Sequence, residues 1–250
     1  MGQSLGVQNL PVAEYPGVVS VDSEEELSRK VTGTLVDNII RVFTKEVLQA
    51  ARPKEPEPDQ VVFRGTLDEV QEFFLRRQWT DGLPVIPPTI DRVEKFLQFT
   101  DRSRDEVIGV LLPESRAATV WNIAVNGVMA GCRPEYMPVL LAVIEAVSEP
   151  EFRIEDAGST PGWEPLVILN GPIIKDLHVN YETGVMRVGR QANTSIGRFL
   201  RLYMRNVAGL RIPPGTTDKA TIGETFKVAL AENEDALTEF GWESFSVSRG

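Results

Sequence analysis

Cys132, the only cysteine, lies in AVNGVMAGCRPEY, between one apolar helical segment and the start of another. The free N–H groups of the second helix and the cation of Arg133 both favour a thiolate, so a nucleophile or redox thiol is one reading. A small apolar residue buried in a helix hairpin is the other. Residues 192–211 carry a second kind of chemistry. Asn193, Thr194 and Ser195 stand at a helix start, where anions are favoured. Arg198, Arg201 and Arg205 follow at spacings of three and four, hence on one helix face, with Arg187, Arg190 and Arg211 close in sequence. Such a stripe holds a carboxylate or phosphate through bidentate contacts, or it pairs with the chain's own acids or meets a subunit. Arg198, nearest the helix start, is the leading candidate for an anion.

Lys227, Glu232, Asn233 and Glu234 form a third group, in FKVALAENED. Glu232 and Glu234 share one side of a strand if the strand runs that far. Paired carboxylates share protons or hold a divalent ion; at an exposed strand end they are simply solvated. Asp81 in WTDGLP and Asn170-Gly171-Pro172 after an apolar run form the fourth. Ligands commonly meet the C-terminal ends of strands in open α/β sheets, and the same residues are also ordinary turn formers. His178, the only histidine, stands alone. It is structural or surface unless the fold brings it to Cys132, and a Ser-His-Asp hydrolase would have to use it.

The elements that must position these groups can be read in order. Residues 1–20 form an extended arm interrupted by Pro11 and Pro16-Gly17. Ser23 with Glu26 is a capping box, and Leu27, Val31, Leu35 and Ile39 recur on one stripe of a helix over 23–49, with Gly33 a weak point inside it. The segment 52–60, RPKEPEPDQ, has three prolines and nothing apolar, so it reads as a linker between an arm-and-helix unit, 1–51, and a main domain, 61–250. Within the main domain, Val61–Gly65 is a strand candidate, and Thr66 with Glu69 caps a helix ending near Arg77. The segment 79–89 is irregular, and Thr89 caps a helix over 90–99. Strands are expected at Ile108–Leu112 and Pro165–Leu169, on alternating residues from Phe226 to Leu230, and at Phe245–Val247. Helices are expected at 117–131, 134–148 and 194–207, the first two as a largely buried hairpin. The fold class is therefore α/β or α+β: one layered domain, with a mixed sheet and packed helices, preceded by an N-terminal arm and helix.

Composition narrows the function. The chain has 250 residues, 42% hydrophobic and 25% charged, with a formal net charge of -10. An acidic chain lacks the clustered cations that nucleic acid requires, so no nucleic-acid partner is expected. No apolar run of about 18 residues exists, so no membrane span is expected. The segment MGQSLGVQNLPVAEYPG has no basic region followed by an apolar one, so no secretory leader is expected. One Cys excludes an internal disulfide framework, which fits a cytoplasmic location, and one Cys with one His is too few for a structural zinc site. No nucleotide-binding motif is present. The cofactor is left open, with a divalent metal the candidate.

Taken together, WTDGLPVIPPT, AVNGVMAGCRPEYMPVLLAVIEA, LVILNGP, ANTSIGR and FKVALAENE, in that order over residues 60–245, resemble the C-terminal region of the UGSC family of (seleno)proteins. That family is named for a Sec-Gly-Ser-Cys or Cys-Gly-Ser-Cys motif in a separate N-terminal region. The chain has no such motif and no adjacent thiol pair, and it stops shortly after the ENE segment. The resemblance therefore implies one subunit of a split protein, a hetero-oligomer whose partner carries the UGSC-type thiol or selenol. It adds weight to Cys132, Asp81, Asn126, Asn170, Asn193, Arg198, Lys227, Glu232 and Asn233. The expectation is a subunit of a heteromeric enzyme acting on a small anionic organic substrate by thiol- or selenol-dependent redox or lyase/hydrolase chemistry. Arg198 with Asn193, Thr194 and Ser195 would bind the anion. Asp81 or Glu232 would move protons, provided burial raises their pKa. Two alternatives stay open: a metal-assisted hydrolase or lyase using Asp81, Glu232 and Glu234 with His178, and a non-catalytic stabilising subunit.

Overall fold

Ser23 and Thr66 each make the reciprocal capping box that their spacing to a glutamate three residues on requires. The structure, a computed structural model, describes residues 12–44, 57, 60–112, 114–154, 164–210 and 228–249. The chain divides into two units, residues 1–55 and 56–250. In the first unit, α1 (Glu24–Lys30) runs through a π-helical turn, Val31–Leu35, into α2 (Val36–Thr44). Gly33 lies in that wide turn, where Thr32 also turns its hydroxyl back onto the Ser28 carbonyl at 2.8 Å. None of the residues in these helices is buried. The segment 45–49, expected to continue the helix, lies outside the described residues, as does most of 52–60.

The second unit is an α+β domain led by helices. It contains α3 (Leu67–Arg76), α4 (Ile90–Leu97), β1 (Val107–Leu111), β2 (Arg116–Thr119), α5 (Val120–Ala130), α6 (Met137–Ser148), β3 (Ile168–Leu169), α7 (Ile173–Asp176), α8 (Gln191–Tyr203), β4 (Leu230–Ala231), α9 (Glu234–Phe240) and α10 (Phe245–Arg249). Strands of both orientations occur, but as two separate two-stranded ladders rather than one mixed sheet among the described residues. β1 pairs with β2 antiparallel, and β3 pairs with β4 in parallel.

The core is helical. α5 and α6 form the expected hairpin, and α8 packs on both. Nearly every residue of α5 is buried, as are Met137, Leu140 and Ile144 of α6 and Ile196, Phe199 and Tyr203 of α8. α5 ends at Gly131, which adopts φ 81°, the left-handed cap that a residue without Cβ reaches without strain. Gly197 lets α8 approach Val228 closely, since a Cβ there would lie 2.7 Å from the Val228 Cα.

Several local expectations are not met. Val61–Gly65 is irregular, without a partner strand among the described residues. The helix expected from 117 starts at Val120, because Arg116–Thr119 pairs with β1 and the Thr119–Asn122 capping box sets the boundary. Residues 245–247 are helical, not extended. The strand does not reach Glu234, because the Asn233 side chain accepts from the Ala236 N–H and starts α9. Helix α8 also begins three residues before the expected 194 and continues as a π turn over Met204–Ala208.

Candidate functional site

The arginine stripe of α8 forms, and it faces the irregular segment after α3. Arg198 and Arg201 grip the same carboxylate. Arg198 Nε and Nη2 donate to Asp81 at 3.1 and 2.9 Å, and Arg201 Nε and Nη2 at 3.1 and 2.6 Å. Arg198 also donates to the Pro84 carbonyl at 2.8 Å. One turn on, Arg205 donates to the Gln78 carbonyl and Asn206 to the Trp79 carbonyl. Successive turns of one helix thus pin residues 78–84, which have no regular structure of their own. The Asp81 side chain is only 3% exposed. Burial pushes its carboxyl upward, but the hydrogen bonds and charges of Arg198 and Arg201 outweigh this and hold it below the ordinary aspartate value. This corrects two sequence-based expectations. Asp81 stays ionised rather than being raised toward neutrality for proton transfer, and the anion held by Arg198 is the chain's own Asp81.

Cys132 follows Gly131 and is buried. Burial pushes its thiol up to about 12, against smaller opposing effects of a Ser195 hydrogen bond and the Arg198 charge. The thiolate expected from the helix start and Arg133 does not prevail, because desolvation of the charged form outweighs both. The Arg133 Nε donates to Gln191 at 2.9 Å. Ser195 returns its hydroxyl to the Gln191 carbonyl at 2.7 Å.

Asn126 belongs to a buried amide chain rather than to an open site. Its Nδ2 donates to the Asn122 carbonyl at 2.8 Å, and its Oδ1 accepts from Asn206 at 2.8 Å. Tyr203 donates to Asn122 Oδ1 at 2.5 Å. Asn206 Oδ1 is buried and finds no partner among the described residues.

The C-terminal ends of the parallel β3–β4 pair bring together Asn170 and the ENE segment. Asn170 Nδ2 donates to the Glu232 carboxylate, which also accepts the Phe245 N–H at 3.0 Å. Glu234 accepts the Gly171 N–H at 3.0 Å. Asn233 is the cap of α9. Glu232, Asn170 and Asn233 are therefore placed together, each engaged with its neighbours, while Lys227 lies outside the described residues. His178 sits in an exposed turn after α7 at φ 53°, and its ring has no hydrogen-bond partner among the described residues. Among those residues no three His, Cys, Asp or Glu side chains converge as metal ligands, so the set of Asp81, Glu232, Glu234 and His178 is not assembled.

An open cleft of about 550 Å³ lies where the turns of 180–190 meet the start of α8. Asn180, Thr183, Arg187, Val188, Gly189 and Arg190 line it. Arg187 and Arg190 are exposed, and neither guanidinium has a carboxylate partner among the described residues. Arg190 is the N-cap of the 13-residue α8 and offers no side-chain cap, so the positive end of the helix adds to the two cations. The predicted residues Asn193 and Thr194 stand behind this cleft. Asn193, wholly buried, accepts the Asn180 N–H at 2.8 Å and donates to the Asn180 and Ala229 carbonyls at 2.9 and 3.0 Å. Thr194 Oγ1 accepts the Gly189 N–H at 3.1 Å. Arg187 and Arg190, close in sequence to the stripe, line this cleft, whereas Arg198 is paired with Asp81. Arg187 lies between Gly184 and Gly189, and Arg190 follows Gly189 immediately before the helix start.

Comparison of the chain with protein-family models, with curated proteins and with solved structures returns no match.

Proposed function

We propose that the chain is a subunit of a heteromeric cytoplasmic enzyme, and that it binds a small anionic organic substrate in the cleft before α8. One observation carries this reading: Arg187 and Arg190, two arginines without carboxylate partners among the described residues, line a 550 Å³ cleft on a chain of net charge -10. Acids are abundant in this chain and satisfy Arg198 and Arg201, so two cations left unsatisfied beside a cavity mark a place for an external anion. A cleft of this size accommodates a small metabolite carrying a carboxylate or phosphate.

The reactive group then comes from another chain. Cys132 is buried with its thiol pushed up to about 12, so at neutral pH it is a poor nucleophile. That supports the division of labour implied by the resemblance to the UGSC family, in which a UGSC-like partner supplies a thiol or selenol for a redox or lyase/hydrolase step. The first unit supports the partner. Val36, Ile39, Ile40 and Phe43 of α2 are exposed, Phe43 by 85%, a face that in a heteromer would be covered. No helix of the described residues is long and apolar enough to cross a membrane.

The test is calorimetric titration of the full chain with inorganic phosphate and with succinate, as wild type and as Arg187→Ala and Arg190→Ala. Binding of either anion that is lost in both variants, and weakens with added salt, is the expected result. Unchanged binding in Arg187→Ala would remove the observation on which the reading stands.

A further inference from the structure

We infer that Asn193 and Thr194 are positioning residues: together they tie both ends of the cleft segment to one turn of α8 and so hold Arg187 and Arg190 in place. The inference rests on the reading that this cleft takes a small anion. It differs from the expectation that these two side chains touch the substrate themselves.

The geometry is specific. The Asn193 amide meets the backbone of Asn180 at two points, accepting its N–H at 2.8 Å and donating to its carbonyl at 2.9 Å. The same Nδ2 donates to the Ala229 carbonyl at 3.0 Å, and the Asn193 carbonyl accepts the Ala229 N–H at 2.8 Å. One wholly buried amide therefore fastens the near end of the cleft segment to the residues that lead into β4. Its side-chain oxygen and nitrogen are both engaged with backbone, which leaves nothing directed at a ligand. The next residue holds the far end, since Thr194 Oγ1 accepts the Gly189 N–H at 3.1 Å. Between these two anchors the segment is built from turns, with Asn180 Nδ2 donating to the Thr183 carbonyl and the Arg187 N–H donating to the Gly184 carbonyl at 2.8 Å. Arg187 and Arg190 flank the second anchor in sequence.

Two consecutive side chains on a rigid, buried helix thus close a loop that has no strand or helix of its own. A guanidinium on a freely moving loop loses conformational entropy on binding, whereas one on a tied loop has already lost it. Binding sites held by packed, hydrogen-bonded support retain their geometry in the same way.

Thr194 gives the cleaner test, because it is half-buried and Val is close to its shape. Inorganic phosphate is titrated into the full chain as wild type, Thr194→Val, Thr194→Ser and Arg187→Ala, with amide hydrogen exchange followed over 180–190. Losing one neutral hydrogen bond is expected to weaken phosphate about five-fold in Thr194→Val and to speed exchange at Gly189. Thr194→Ser, which keeps the oxygen, is expected to restore both. Asn193→Ala, which frees Asn180, is expected to weaken phosphate further; should that variant not fold, the Val and Ser pair decides alone. If Arg187→Ala abolishes phosphate binding while Thr194→Val matches wild type in affinity and exchange, the cleft stands and the positioning role is wrong. If wild type does not bind phosphate, or Arg187→Ala binds it unchanged, the anion reading falls and the positioning role falls with it.

Discussion

At the residue scale, the decisive quantity is how far each ionisable group is removed from water and what meets it there. Asp81 is almost wholly covered, yet it keeps its charge because two guanidiniums replace its solvent. Asp81→Ala leaves Arg198 and Arg201 without that partner in a half-buried setting and is expected to cost about 3 kcal/mol of stability in urea unfolding. The same carboxyl has a pH signature. Its pKa is lowered on folding, so its stabilisation is complete above the ordinary aspartate range and is lost as pH falls through the lowered value. Acid unfolding of wild type should therefore show a loss of stability below about pH 4 that Asp81→Asn lacks. Cys132 has the opposite sign. Its thiol rises from 9.0 to about 12 on folding, so the unfolded chain ionises first as pH increases. Between those two values the thiol erodes stability by about 1.4 kcal/mol per pH unit. Cys132→Ser should lack that slope, as read from urea midpoints across alkaline pH, and Cys132 in the native protein should react with iodoacetamide only slowly below pH 8.

At the element scale, α8 is the organising piece. One face buries Ile196, Phe199 and Tyr203 in the core, another carries the arginines that hold 78–84, and its first turn holds 180 and 189. The close approach of α8 to Val228 depends on Gly197. A methyl there would sit 2.7 Å from the Val228 Cα, among backbone atoms that cannot swing aside. Gly197→Ala gains about 1 kcal/mol of helix propensity yet is expected to destabilise by about 2 kcal/mol net, because overpacking must displace the chain leading into β4. Thermal unfolding with a chemical-shift comparison at Asn193 would read both the loss and the displacement. The boundary between β2 and α5 depends on Thr119 in a comparable way, through its capping box with Asn122. Thr119→Ala is expected to cost about 1 kcal/mol, measured as a lower urea midpoint at unchanged slope.

At the scale of the whole molecule, the buried residues are unevenly distributed. Every buried residue among those described lies between Phe74 and Ala231, within the second unit. The first unit has helices but no buried side chain among those described, and short helices without packing are marginal in water. On the heteromer reading, residues 1–55 serve assembly and residues 56–250 carry the core and the cleft. A chain lacking residues 1–55 is expected to keep a cooperative melt and phosphate binding but to fail to co-purify with a UGSC-motif partner. Native mass of the co-expressed pair would check this, and assembly that survives the deletion would take the partner contact away from α1 and α2.

The sequence by itself determined features whose causes are local. The two glutamate capping boxes, the buried α5–α6 hairpin and the arginine stripe all follow from spacings within a few residues, because helix geometry places residues three and four apart on one face. It also marked Asp81, Arg198, Asn170 and Glu232 as candidates, through residue type and the resemblance to the UGSC family. Only the tertiary structure decided what those residues meet. Arg198 and Asp81 are 117 residues apart and Asn170 and Glu232 are 62 apart, and no local periodicity specifies such a pairing. The same limit explains the short strands. A two-residue strand such as β4 exists because the Val167 carbonyl accepts the Leu230 N–H and the Leu169 carbonyl accepts the N–H of Glu232 just beyond it. Desolvation, which separates the two readings of Cys132, is likewise a property of everything packed around it.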